Sequence, residues 1–67
     1  MIFFQFQSTD NIQVLRRTDI MEVIGLIFRG TDNKMHFYPY RTKGEAPESY
    51  RTEEMRQIIG LMASMER

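Results

Sequence analysis

The chain has 67 residues, with nine basic and nine acidic side chains, one histidine and no cysteine. That length allows one domain, residues 1–67, near the lower limit for folding alone, and so small a core rarely supplies more than about 3–5 kcal/mol without a staple. The missing cysteines exclude disulfides and thiolate metal sites, a lone histidine cannot build a metal centre, and the cancelling charges give no global pull toward nucleic acid or membrane. Self-association is the staple that remains.

The charge is unevenly spread. Residues 16–43 hold six basic side chains against three acidic, and residues 44–67 hold three basic against five acidic. A hydrophobic content of 42% argues against disorder. No run approaches the ~18 apolar residues of a membrane span, and the first residues lack the basic lead and cleavage site of a signal peptide. These features point to a cytoplasmic protein with no membrane partner.

In chain order, residues 2–7 read as a first strand, aromatic and β-branched, with Ile2, Phe4 and Phe6 on one face and Phe3, Gln5 and Gln7 on the other. Ser8-Thr9-Asp10-Asn11 is a run of turn formers. Residues 12–17 alternate as a strand would, with Ile12, Val14 and Arg16 on one side. Asp10 as a cap with Ile12 and Leu15 also permits a helical turn. Thr18-Asp19 marks the next turn.

Residues 20–29 and 34–41 form the hairpin on which the reading turns. Val23 to Phe28 is an unbroken apolar run, followed by the turn formers Gly30-Thr31-Asp32-Asn33. Loops of four residues or of two both place Ile24, Leu26, Phe28, Met35 and Phe37 on one face. The other face then carries Val23, Gly25, Ile27, Lys34, His36, Tyr38 and Tyr40. The four-residue loop sets Tyr38 opposite Gly25 and Arg29 opposite Lys34. Pro39 cannot donate to a ladder, which puts the second strand at an edge. Residues 42–51, with Gly44 and Pro47, read as a connecting loop.

Residues 52–66 read as a helix. Thr52 stands at the N-cap position, Glu53 and Glu54 complement the dipole, and Met55, Ile58, Ile59, Met62 and Met65 form an apolar stripe. The expected fold is therefore α+β: an antiparallel meander of three to four strands with one C-terminal helix packed on one face. One helix covers one face of a sheet, so a second apolar face needs another partner.

No nucleophile–base pair, zinc-binding helix motif or phosphate-cradling loop occurs, so no enzyme and no cofactor is expected. The second hairpin face is the candidate site: Val23, Ile27, Lys34, His36, Tyr38 and Tyr40 as partner-binding residues. The expected function is a small non-enzymatic protein-interaction module, a regulator or adaptor acting as a homodimer and binding a protein partner. The alternative is a single-stranded DNA or RNA binder, in which the tyrosines stack bases and Arg16, Arg17, Arg29, Arg41 and Lys43 follow phosphates. The order of strands followed by a helix resembles, in layout, the single-strand-binding domain of a class of transcriptional coactivators. The resemblance implies that same activity and carries over no site residue.

Overall fold

Turn chemistry cuts the first forty residues into strands. The computed structural model describes residues 2–17, 19–40 and 50–66. It contains β1 (Ile2–Ser8), β2 (Asn11–Arg17), β3 (Met21–Arg29), β4 (Met35–Pro39) and one helix, α1 (Thr52–Met65). The strands form a single antiparallel sheet in the order β1-β2-β3-β4, and α1 packs on one face. Residues 12–17 are strand rather than helical turn. Pro39 ends an edge strand, where its missing N–H removes no ladder bond. The expected connecting loop at 42–51 falls, up to residue 49, outside the described residues.

Two local features overturn the expected faces of the hairpin. The first is the loop. The Asn33 N–H donates to the Gly30 carbonyl at 3.0 Å, the Gly30 N–H to the Lys34 carbonyl at 2.8 Å, and Asn33 sits at φ 66°. This is a three-residue loop ending in a left-handed residue, a geometry that asparagine's short polar side chain tolerates. Loops of four or two residues have the opposite parity. The one-residue difference turns β4 over relative to β3: Tyr38 lies opposite Leu26 rather than Gly25, Met35 opposite Arg29, and Pro39 opposite Gly25.

The second feature is a bulge in β3. Val14 is opposite Gly25 and Leu15 opposite Val23, which leaves Ile24 as an extra residue in the ladder. An extra residue shifts the alternation of the strand. Ile24 and Ile27, three positions apart, are both buried on the helix side, at 3% and 0% exposure. Leu26 and Phe28, expected in the core, go to the opposite face, while Ile27 leaves that face for the core.

The core therefore unites Ile2, Ile12, Val14, Ile24, Ile27 and Met35 of the sheet with Ile58 of α1. Phe4, Phe37, Tyr50 and the helix residues Met55, Leu61, Met62 and Met65 pack around it. Gly25 is required by close approach. A Cβ there would lie 2.7 Å from the Phe37 ring and 2.8 Å from the Tyr50 hydroxyl oxygen, inside any real contact.

Arg51, not Thr52, is the N-cap residue of α1. Its backbone N–H donates to the Glu54 carboxylate at 2.9 Å, and Arg16 of β2 donates to the same oxygen at 2.7 Å. The Arg16 guanidinium also lies over the Tyr50 ring, 5.3 Å from its centroid. Glu54 thus ties the first turn of the helix to the sheet, beyond the dipole role expected of it. Burial pushes its carboxyl pKa up, but the Arg51 amide and the Arg16 guanidinium outweigh burial and leave it below the ordinary value. Pinning α1 at this corner also sets its rotation. Ile58 is fully buried, whereas Ile59, expected on the apolar stripe, is 58% exposed.

Two outcomes follow for stability. Ile58→Ala should cost roughly 2–5 kcal/mol in urea denaturation, whereas Ile59→Ala should stay within about 0.5 kcal/mol of the parent. Because folding lowers the Glu54 pKa, the stability Glu54 contributes is whole above the ordinary carboxylate value of 4.5 and drains as pH falls through its lower folded value. The pH dependence of the urea midpoint across the acid range should accordingly be flatter in Glu54→Gln than in the parent.

Candidate functional site

Cross-strand partners share a face, so the pairings define the side of the sheet away from α1. One row across it runs Phe3, Leu15, Val23, and a second runs Gln5, Gln13, Leu26, Tyr38. A third contains Asn11, Phe28 and His36. Arg17 and Met21 pair beyond the first row. Among the described residues nothing covers this face: Leu15, Val23, Leu26 and Phe28 are half-buried by neighbours, while Phe3, Met21 and Tyr38 are exposed.

Ring contacts order its margin. Phe28 and His36 stack with centroids 5.6 Å apart, and Tyr38 meets Tyr40 edge-on at 5.8 Å. His36 Nε2 lies 3.0 Å from Asp32 Oδ1 in the hairpin loop. That contact, with the Lys34 backbone N–H, holds the Asp32 carboxyl below its ordinary pKa. The Gly30 backbone approaches the same ring, so an added Cβ would lie 2.7 Å from it. The polar centre of the face is amide: Gln7 donates to Gln13 at 3.3 Å, beside Gln5.

Of the six expected partner-binding residues, Val23, His36 and Tyr38 are brought together on this face, and Tyr40 joins them through its ring contact. Lys34 sits in the loop, exposed. Ile27 does not belong to the face; it is buried beneath α1. Phe3, Leu15, Met21, Leu26 and Phe28 belong to it and were absent from the expected set. The alternation of residues 2–7 and 12–17 already separated Phe3 from Ile2 and Phe4, and Leu15 from Ile12 and Val14; the structure shows which side is core. Leu26 and Phe28 needed the loop parity.

Of the three expected phosphate-following cations among the described residues, two are committed elsewhere. Arg16 pairs with Glu54. Arg29 donates to Asp10 at 2.8 Å, to the Asn33 carbonyl at 3.1 Å and to the Met65 carbonyl at 3.3 Å, joining the β1–β2 turn, the hairpin loop and the end of α1. Arg17 alone of the described set is exposed on the open face. Arg41 and Lys43 lie outside the described residues. No group of three or more histidine or acidic side chains among the described residues could hold a metal ion. None of the described helices is long and apolar enough to cross a membrane.

No family model, no curated protein and no solved structure matches the chain.

The two arginine classes should separate experimentally. Arg29→Ala should lower stability by roughly 0.5–1.5 kcal/mol, because it removes three hydrogen bonds, two of them to acceptors that water can reach. Arg17→Ala should stay within about 0.5 kcal/mol in the same denaturation series.

Proposed function

We propose that the chain is a small non-enzymatic protein-interaction module, a regulator or adaptor that works as a homodimer in the cytoplasm. Its open sheet face takes an apolar, uncharged surface of another protein. The observation that carries this reading is the composition of that face: Phe3, Leu15, Val23, Leu26, Phe28 and Tyr38 around a neutral centre of glutamines. Burying such a face against a matching apolar surface gains roughly 25 cal/mol for each Å² of apolar area removed from water. The amides at its centre supply hydrogen bonds that fix register without any charge to desolvate. The cytoplasmic location rests on the sequence alone.

The single-strand-binding alternative draws on the Tyr38–Tyr40 pair, whose rings could stack bases. It needs cations beside them. Among the described residues Arg16 and Arg29 are held by Glu54 and Asp10, and Arg17 pairs with Met21, two strands away from β4. For the described arginines this distribution favours a protein partner.

The test combines a titration and a capture. A labelled single-stranded oligonucleotide at physiological salt should bind weakly and lose what affinity it has as salt rises. In nuclease-treated extract, the protein should capture a partner in stoichiometric amount, and Tyr38→Glu should abolish the capture while Ile59→Glu on the exposed side of α1 leaves it intact. Tight oligonucleotide binding at physiological salt that Tyr38→Glu removes would overturn the reading.

A further inference from the structure

The sheet has two outer edges, and they differ. At β4, ladder bonds join Gly30 to Lys34 at one end and Tyr40 to Ile24 at the other. In an antiparallel pair alternate residues bond the neighbour, so Met35, Phe37 and Pro39 direct their backbone groups outward. The Met35 N–H is already taken by the Glu66 carboxylate at 2.9 Å, and Pro39 has no N–H. That edge is closed at both ends to a further strand.

At β1 the edge is open. The Arg29 N–H donates to the Asp10 carbonyl, so Ile12 and Val14 bond β3, and Gln13 and Leu15 bond β1 through their partners Gln5 and Phe3. The N–H and C=O groups of Ile2, Phe4 and Phe6 therefore point away from the sheet, and among the described residues no strand lies beyond them. β1 carries no charge and no proline, the devices that ordinarily protect an edge. Phe6, on the helix side of the sheet, is 56% exposed. The helix packs most against β4, and on the β1 margin Phe6 stays open.

We infer that the free edge of β1 pairs antiparallel with β1 of a second copy, joining two sheets into one of eight strands about a two-fold axis at Phe4. This names the surface of the homodimer proposed above and rests on that part of the reading, not on the open face or its partner. The occupant is a second copy because the edge complements itself. With Phe4 opposite Phe4, Ile2 falls opposite Phe6 of the other copy and Phe6 opposite Ile2. All three outward-directed residues then meet outward-directed residues, with matched donors and acceptors. The exposed Phe6 ring gains an apolar neighbour, and no like charges meet across the axis, as an isologous contact requires. Strand addition of this kind draws its affinity from main-chain hydrogen bonds.

The experiment uses the full chain. Sedimentation equilibrium at micromolar concentration should show a dimer. Phe6→Pro removes one outward donor from each copy, and should raise the dimer dissociation constant by about thirtyfold or more while leaving the helical circular dichroism unchanged. Tyr38→Glu, on the open face, should leave the dimer intact. Independently, Phe4→Cys should form a covalent dimer under mild oxidation, since a bonded antiparallel pair sets the two Cα atoms about 5.5 Å apart, within disulfide range. Gln57→Cys on the exposed side of α1 should not. The chain has no cysteine of its own, so any disulfide reports contact between copies. A parent protein that stays monomeric, a dimer lost in Tyr38→Glu but kept in Phe6→Pro, or a dimer whose Phe4→Cys form resists cross-linking would each overturn the inference. Failure of oligonucleotide or partner capture results would bear on the open face alone.

Discussion

The carbonyl of Ile24 accepts two hydrogen bonds, from the Tyr40 N–H at 2.9 Å and the Tyr50 hydroxyl at 2.6 Å. It belongs to the extra residue of the β3 bulge, and the rest of the fold depends on it. The bulge turns Ile24 and Ile27 to the same side and so creates the apolar surface on which α1 sits. The Tyr50 hydroxyl stands over Gly25, where no side chain could fit, and its ring meets Phe37 edge-on at 5.3 Å. The residue that follows Tyr50 begins the helix. One carbonyl thus links the register of the sheet to the place where the helix starts.

From that corner the polar contacts run outward. Arg16 covers the Tyr50 ring and binds Glu54, and Glu54 receives the Arg51 amide. At the other end of the helix Arg29 binds the Met65 carbonyl, and Glu66 accepts from Met35. The helix is held at its first and last turns by residues of β2, β3 and β4, with Ile58 fully buried between them. In a chain with so small a core, such pairs contribute orientation as much as stability. They also engage two of the arginines of the locally basic stretch, Arg16 and Arg29, while Arg17 stays exposed on the open face. That face and the unprotected edge of β1 are separate surfaces, one suited to a side-chain partner and the other to a strand.

Element identity was legible in the sequence because it rests on local signals. The aromatic and β-branched runs, the turn formers at 8–11 and 30–33, and the 3.6-residue recurrence after residue 52 give three to four strands and a helix; residues 12–17, open between strand and helical turn in the sequence, are strand. The edge position of Pro39 follows from its missing donor. The alternation grouped Ile2 with Phe4 in β1 and Ile12 with Val14 in β2, and the strand register joins the two groups on one face. Face assignment in β3 and β4 was not legible. A side-chain period of two means that one inserted or skipped residue reverses a whole strand, and both a bulge and an odd loop occur in the same hairpin. The same two residues decide that Ile27 is core and that Leu26 and Phe28 are surface.

The sequence by itself determined a small α+β meander without disulfides, with a helix after the strands and more apolar sheet surface than one helix can cover. Composition and short-range periodicity suffice for that, since they act within a few residues of chain. Only the tertiary structure decided which side chains form the core and which the open face, where the helix is pinned, and which arginines are spent on ion pairs. Those outcomes depend on contacts such as Tyr50 with Ile24, Arg16 with Glu54 and Arg29 with Met65, separated by 26, 38 and 36 positions in the chain. No local pattern encodes them, because each is a choice among partners that become neighbours only when the sheet and helix are assembled.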